Sequence, residues 1–450
     1  MVAHVPDRSA IATPRASFAP RAVTVQKVRN NWLLYVFLFF LPLQNLQTGY
    51  MPNLGGGINF LNIGFAVSLL GALYCKGKLS HWSSVHRWVI AYVAYNIFSL
   101  FLGYTNVSSE TEDHFNILKD SMLAVMLVFV VQMSVTDWTT IKRCIIAMLL
   151  PLPYILKVTY SEHDSVSSWH YNDALRISGT FSLLGANEYA AFCVMMAIVM
   201  FGLLLAGGMS RGWKIALTTC IVFVITGVAW AYSRTAYVAL LLGMVAVLLL
   251  WRGRWKMILP LFIFALILPA ILPTSVVERF DSTTIEEGKR DESTEMRFEF
   301  WSLAIDNFEN HPIFGSGFQT FRHHEINPFN MDTHNFFMRE LTEKGLVGIS
   351  ITIALLISIL RACWRTMREA PSGTLAYGLG LGMVGAWLAL VLGNCFGDRF
   401  TYYPMIGYFW VFLALTLKAR DFSAASVTET KPPGAEAVPL RRFAQPRGKA

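Results

Sequence analysis

Residues 188–207, EYAAFCVMMAIVMFGLLLAG, hold one charged side chain, at their head, followed by nineteen uncharged residues. A bilayer core about 30 Å thick is crossed by about 20 mostly apolar residues in a helix, whose backbone satisfies its own hydrogen bonds. This stretch meets that requirement. Similar runs lie near 32–48, 58–75, 88–104, 119–135, 143–159, 213–231, 235–251, 256–273, 346–362, 375–395 and 401–418. The expectation is an all-α polytopic membrane protein with about twelve transmembrane helices. Lys119 and Asp120 open the fourth run, Pro151 and Pro153 interrupt the fifth, and Pro260 and Pro269 interrupt the ninth.

Composition points the same way. Apolar residues make up 54% of the 450 and charged residues 15%, with a mean hydropathy of +0.46. A soluble domain carries roughly 25% charged residues, so this chain cannot cover a globular surface with charge. A water-soluble enzyme, a disordered chain and a disulfide scaffold are excluded. The six cysteines (75, 144, 193, 220, 363, 395) form no CxxC or CxxH pair, which argues against structural zinc and a disulfide framework.

The formal charge of +8 raises nucleic acid as a partner, and the placement of the cations decides against it. Twelve spans put both termini on one side. Residues 1–31, the loops after spans two, four, six, eight and ten, and the C-terminal tail hold 25 of the 37 Lys+Arg. The opposite side holds 12, although it carries the longest loops. Positive charge accumulates on cytoplasmic loops, so both termini are expected there and no nucleic acid is needed. The expected organisation is a basic cytoplasmic tail (1–31), spans one to nine (32–273), a large outer loop (274–345), spans ten to twelve (346–418) and a disordered cytoplasmic tail (419–450). Thirty polar, basic residues before the first run do not read as a cleavable signal.

Three outer loops are long: 105–118, 160–187 and 274–345. Structureless loops of the last one's size are uncommon and usually functional. Within it, residues 296–305 have an amphipathic helical pattern, followed by the breaker Asn310-His311-Pro312 and a Gly315-Ser316-Gly317 turn. Asp332 or Thr333 is expected to cap a helix running to Lys344 and stopped by Gly345. That puts His334 in the first helical turn, where the positive end of the helix dipole keeps an imidazole neutral and attracts phosphate oxygens. A neutral imidazole suits a general base near pH 7; a packing role stays open. His163, His170, His323 and His324 are read as hydrogen-bonded packing residues.

Four arginines lie on the outer side: Arg176, Arg234, Arg297 and Arg399. A guanidinium suits bidentate phosphate contacts and keeps its charge. Each could equally snorkel to headgroups or pair with Glu188, Glu299 or Asp398.

At these residues the chain resembles the O-antigen ligase and polymerase superfamily of bacterial envelope glycosyltransferases. The resemblance rests on Arg176-Ile-Ser-Gly-Thr-Phe with Asn187-Glu188-Tyr189-Ala190, and on Ser233-Arg234-Thr235-Ala236. It also rests on Arg297 with Trp301 and the Pro312…Gly315-x-Gly317 turn, and on His334-Asn335 with Glu343-Lys344-Gly345-Leu346-Val347-Gly348. These blocks run from about residue 176 to 348. The resemblance implies a GT-C-like fold in the bacterial inner membrane, with its active site and the large loop facing the periplasm. It implies transfer of a glycan from undecaprenyl pyrophosphate to a sugar hydroxyl of the lipid A core. His334 would be the base and Arg176, Arg234 and Arg297 would hold the pyrophosphate, supported by Asn187, Asn335, Arg339 and Arg399. No histidine–carboxylate cluster has metal spacing, so neither a metal nor another cofactor is expected. A polymerase or protein O-glycosylating ligase of the same superfamily fits the same residues. A secondary transporter would carry ionisable residues at mid-membrane, where these runs are nearly charge-free.

Overall fold

A computed structural model of the chain describes residues 30–51, 58–75, 77–107, 112–166, 175–254, 277, 284–285, 289–290 and 292–429. Helices dominate: α1 (Trp32–Phe40), α2 (Gln44–Tyr50), α3 (Phe60–Cys75), α4 (Ser84–Asn106), α5 (Glu112–Ser134), α6 (Trp138–Leu149) and α7 (Leu152–Val166). Next come α8 (Ala186–Ala206), α9 (Arg211–Trp230), α10 (Arg234–Leu250), α11 (Glu292–Asn310), α12 (Phe336–Glu369), α13 (Leu375–Asn394) and α14 (Tyr403–Glu429). The antiparallel two-residue pair Thr284–Ile285 and Lys289–Arg290 is the sole strand structure among the described residues.

Seven helical stretches among the described residues are long and apolar enough to cross a membrane: α4, His114–Ser134 within α5, Trp138–Val166 (α6 with α7), α8, α9, α12 and α13. Helices α3 and α10 are shorter apolar helices. Proline decides two of the breaks. Leu41-Pro42-Leu43 splits the first apolar run into α1 and α2, and Leu150-Pro151 separates α6 from α7, because proline lacks the N–H and clashes with the preceding turn. The ninth run, with Pro260 and Pro269, lies outside the described residues, as do His170 and most of the two terminal tails. At the C-terminus one boundary moves: α14 continues to Glu429, so the start of the segment expected to be a disordered tail is helical.

The core is built on α8 and α13, whose apolar windows are 78% and 72% buried. They approach closely because glycine faces glycine: a Cβ on Gly202 would stand 2.4 Å from the Gly382 Cα. Lipid supplies little hydrophobic drive between helices, so small residues that admit backbone contact give them their packing energy. Helices α9 and α10 flank α8, while α14 packs on α5 and α12 packs on α4 and α13.

The two ends of the bundle differ in chemistry. At one end Arg252 donates to the carbonyls of Ala370 (3.0 Å) and Arg368 (2.8 Å), Lys418 donates to the Lys78 carbonyl (3.0 Å), and Arg420 pairs with Glu369 (2.7 Å). The other end carries the folded loop before α12. There Asn307 of α11 donates to Ser316 Oγ (2.9 Å) and Thr342 Oγ1 (2.7 Å), and Phe318 N–H reaches the Ser99 carbonyl of α4 (2.9 Å). Phe300 and Ala304 of α11 close a small apolar core with Phe321.

Candidate functional site

The stretch Asp332-Thr333-His334-Asn335 leads into α12, and its short polar side chains tie it into one shape. Asn335, not Asp332 or Thr333, is the cap: its Oδ1 accepts from Phe337 N (3.0 Å) and Met338 N (3.2 Å). Phe336 N donates to the Gly397 carbonyl and Arg339 N to that of Asn335, both at 3.0 Å. All four leading N–H groups are thereby used. The expectation of a helix N-terminus that attracts phosphate is corrected on this ground, and His334 precedes the helix instead of lying in its first turn. Asn335 serves here as the cap.

His334 itself adopts φ 51, a left-handed conformation costly for a residue with a Cβ. Its neighbours hold it there. Thr333 Oγ1 donates to the Asn335 carbonyl (2.8 Å), Thr333 N donates to Asp332 Oδ1 (2.8 Å), and Trp301 Nε1 of α11 donates to the Thr333 carbonyl (3.0 Å). The ring is half-buried, 6.1 Å from that of Phe300. Among the described residues neither ring nitrogen has a hydrogen-bond partner.

Burial first, and then the charges of Arg297, Arg322 and Arg399, lower the His334 pKa below the ordinary 6.5; Asp332 acts in the opposite sense. The imidazole is therefore neutral at pH 7. Its neutrality comes from burial and cations, where the sequence had suggested the helix dipole. Asp332 is itself nearly buried and pairs with Arg322 (3.2 Å). Burial acts to raise its carboxyl, yet Arg339 and Arg322 hold it below the usual carboxylate range.

The α13–α14 turn brings in Arg399. Gly397 receives the Phe336 N–H, and Asp398 forms a buried ion pair with Arg339, whose other nitrogen donates to Thr401 Oγ1 (2.7 Å). Arg339 thus bolts this turn to the start of α12. Arg399, buried and ion-paired with Glu188, receives further support from Asn394, which accepts its backbone N–H (2.8 Å). The pairing with Glu188 is one of those the sequence left open.

Arg176 and Arg234 stand on the Asn187 side. Asn187 Oδ1 accepts from Arg176 Nη2 (2.7 Å) and from Ser233 Oγ (2.9 Å), beside Arg234 at the start of α10. A small cavity lined by Asn187, Ser233 and Arg399 joins this group to the α13–α14 turn. Glu162 of α7 accepts the N–H groups of Ser178 (3.1 Å) and Gly179 (2.7 Å), which pins the loop carrying Arg176. The charges of Arg297, Arg322 and Arg399 therefore reach His334, while Arg176 and Ser233 meet on Asn187, next to Arg234.

Two of these residues, Arg322 and Glu162, carry no role in the sequence reading, and Asp332 carries a different one. Arg322 was legible as one of the twelve outer cations, and Asp332 as a carboxylate two residues from the histidine, though it was read only as a cap. Glu162 had no signal. One further expectation is corrected: His323, His324 and Glu325 bring potential ligand atoms within 4.8 Å of one another, so one histidine–carboxylate cluster does have metal-ligand spacing. His163 stacks on Trp230 at 4.1 Å, a packing role.

Residues 219–353 match the family model described as O-antigen ligase. The matched segment contains Arg234, Arg297, Arg322, Asp332 and His334, and leaves Arg176, Asn187, Glu188 and Arg399 outside it. Among curated proteins, none matches the chain.

Proposed function

We propose that this chain, which carries a domain of the O-antigen ligase family, transfers a glycan from undecaprenyl pyrophosphate to a sugar hydroxyl of the lipid A core. The reading rests above all on His334: an imidazole without a hydrogen-bond partner, kept neutral by burial and by the charges of three arginines. The acceptor hydroxyl gives its proton to His334 as its oxygen attacks the anomeric carbon. The bond from that carbon to the pyrophosphate oxygen breaks, the electron pair leaves with the pyrophosphate, and the configuration inverts. Charge grows on the leaving oxygens, where fixed cations stabilise the transition state more than the ground state.

Arg176, Arg234 and Arg297 are the proposed pyrophosphate ligands, joined by Arg322 and Arg399. Asn187 orients Arg176, and Arg339 holds the turn that carries Arg399. Donor and acceptor are both lipid-anchored, which suits a site at the membrane surface. On this reading the site faces the periplasm of a bacterial inner membrane and the reaction is metal-independent.

The test is purified protein supplied with undecaprenyl-linked glycan and separate acceptors. Product on lipid A core is expected, and His334→Ala abolishes it without loss of fold. Lengthened lipid-linked glycan would make the protein a polymerase, and glycan on a polypeptide would make it a protein O-glycosylating ligase. Replacing Arg176, Arg234 or Arg297 by Ala is expected to cost about 10²–10³ in kcat, the loss typical for a transition-state charge contact. Dialysis against EDTA should leave transfer unchanged; activity lost to the chelator and restored by a metal would assign charge neutralisation to an ion, with His323, His324 and Glu325 as its first candidate ligands.

A further inference from the structure

A second space opens at the same end of the molecule. A cavity of about 440 Å³ lies between the ends of α2, α3, α5 and α14, within the range of roughly 300–1,000 Å³ usual for ligand pockets. Its walls are polar in a particular way. Gln44 is 9% exposed and its Oε1 has no hydrogen-bond partner, and Tyr403, 1% exposed, leaves its hydroxyl unpartnered. Asp120 adds a carboxylate whose Oδ1 accepts no hydrogen bond, with the Lys119 ammonium 3.8 Å away. Thr48 adds a hydroxyl, while Phe60 and Tyr402 add apolar ring surface.

Unpartnered buried polar atoms cost free energy, and two of them lining one cavity beside a carboxylate ion-paired with Lys119 ask for a ligand with donors and acceptors close together. Among the described residues no arginine or lysine lines the space, and Lys119 beside it is engaged with Asp120, so it is unsuited to a pyrophosphate. An isoprenoid tail would leave the amide, the hydroxyl and the carboxylate unsatisfied. Vicinal hydroxyls on an apolar ring face meet all three kinds of wall. The cavity also adjoins the proposed reaction centre, because Tyr402 lines it and accepts a hydrogen bond from Arg322 (3.4 Å).

We propose that this cavity is a saccharide subsite that holds a sugar unit of one of the two substrates, apart from the arginines that hold pyrophosphate. The proposal rests on the transfer reading for its role and on the cavity walls for its chemistry.

Binding is measured on the purified full-length protein by titration calorimetry, with two probes: lipid-free core oligosaccharide and lipid-free glycan released from the donor. Gln44→Met and Tyr403→Phe each remove one polar group at nearly constant volume, and Asp120→Asn removes the charge. One probe is expected to bind, and each variant should weaken it about two- to tenfold, the value of one net hydrogen bond. The KM of the corresponding substrate should rise by a similar factor. Loss of core oligosaccharide affinity assigns the subsite to the acceptor, and loss of donor glycan affinity assigns it to the donor. Wild-type affinity for both probes in folded variants overturns the proposal, as does weakening of undecaprenyl phosphate binding with the saccharides unaffected. Saccharide binding that the variants lose in a protein unable to transfer would keep the subsite and remove the transfer reading. Transfer with saccharide affinity unaltered in the variants would do the reverse.

Discussion

Whether His334 accepts a proton near neutrality depends on the charges that face it. Arg297, Arg322 and Arg399 disfavour the imidazolium along with burial, and Asp332 favours it. A base works only when unprotonated, so kcat/KM should fall on the acid side with a midpoint below 6.5, the ordinary histidine value. The sign of each perturbation follows. Arg322→Gln removes a cation, protonation becomes easier, and the midpoint moves up. Asp332→Asn removes the carboxylate, protonation becomes harder, and the midpoint moves down. Stopped assays across pH 4.5–8 in the three proteins would check this, since a residue that only supports the fold would lower the rate without moving the limb. The histidine was legible in the sequence because it stood in a short motif at the end of a long polar loop. Its environment was not. Arg399 is 65 residues further on and Glu188 lies 146 residues before, and only the folded α13–α14 turn joins that pair and brings the Arg399 charge within reach of the ring.

At the scale of elements, α12 is two pieces with different work. Gly345, at φ 62, breaks the helix between Phe336–Lys344, which carries the buried charges of Arg339, Glu340, Glu343 and Lys344, and the apolar remainder. A Cβ at Gly345 would stand 2.4 Å from the Ile313 carbonyl oxygen, and the next two N–H groups, of Leu346 and Val347, are taken by Pro312 (2.9 Å) and Ile313 (3.1 Å). The left-handed backbone and the contact together make Gly345→Ala destabilising by more than about 1 kcal/mol, read as a lower melting temperature in detergent. The stop at Gly345 was visible in the sequence because glycine commonly ends helices. The start was misjudged because Asp332, Thr333 and Asn335 are all good caps, and the choice among them is made by Gly397, a residue of another turn. The same turn gives a second expectation. Asp398→Asn leaves the Arg339 guanidinium buried without its main counter-charge, which typically costs about 3–5 kcal/mol. Melting should fall steeply and transfer with it, while Asp398→Glu restores part of both.

For the whole molecule, the distribution of cations and the distribution of contacts make one argument. Segments assigned to the cytoplasm by their lysines and arginines, near residues 78, 252, 370 and 420, meet at one end of the bundle. Segments assigned to the outside, near 99, 187, 316, 334 and 399, meet at the other. The low charge of the apolar runs made a membrane fold legible, while their order around α8 and α13 was not, since glycine pairs such as Gly202 and Gly382 match across distant sequence. Orientation then becomes a single measurement. Met331, 42% exposed, lies three residues before His334, and Ala425 is exposed on the last helix. In intact cells a membrane-impermeant maleimide should label Met331→Cys and spare Ala425→Cys, and permeabilised cells should expose both. The native cysteines give little background, because five of the six are buried. Labelling of Ala425→Cys in intact cells would invert the molecule, putting the arginines and His334 on the cytoplasmic side. The positive-inside assignment and a periplasmic site for the transfer would then fail together.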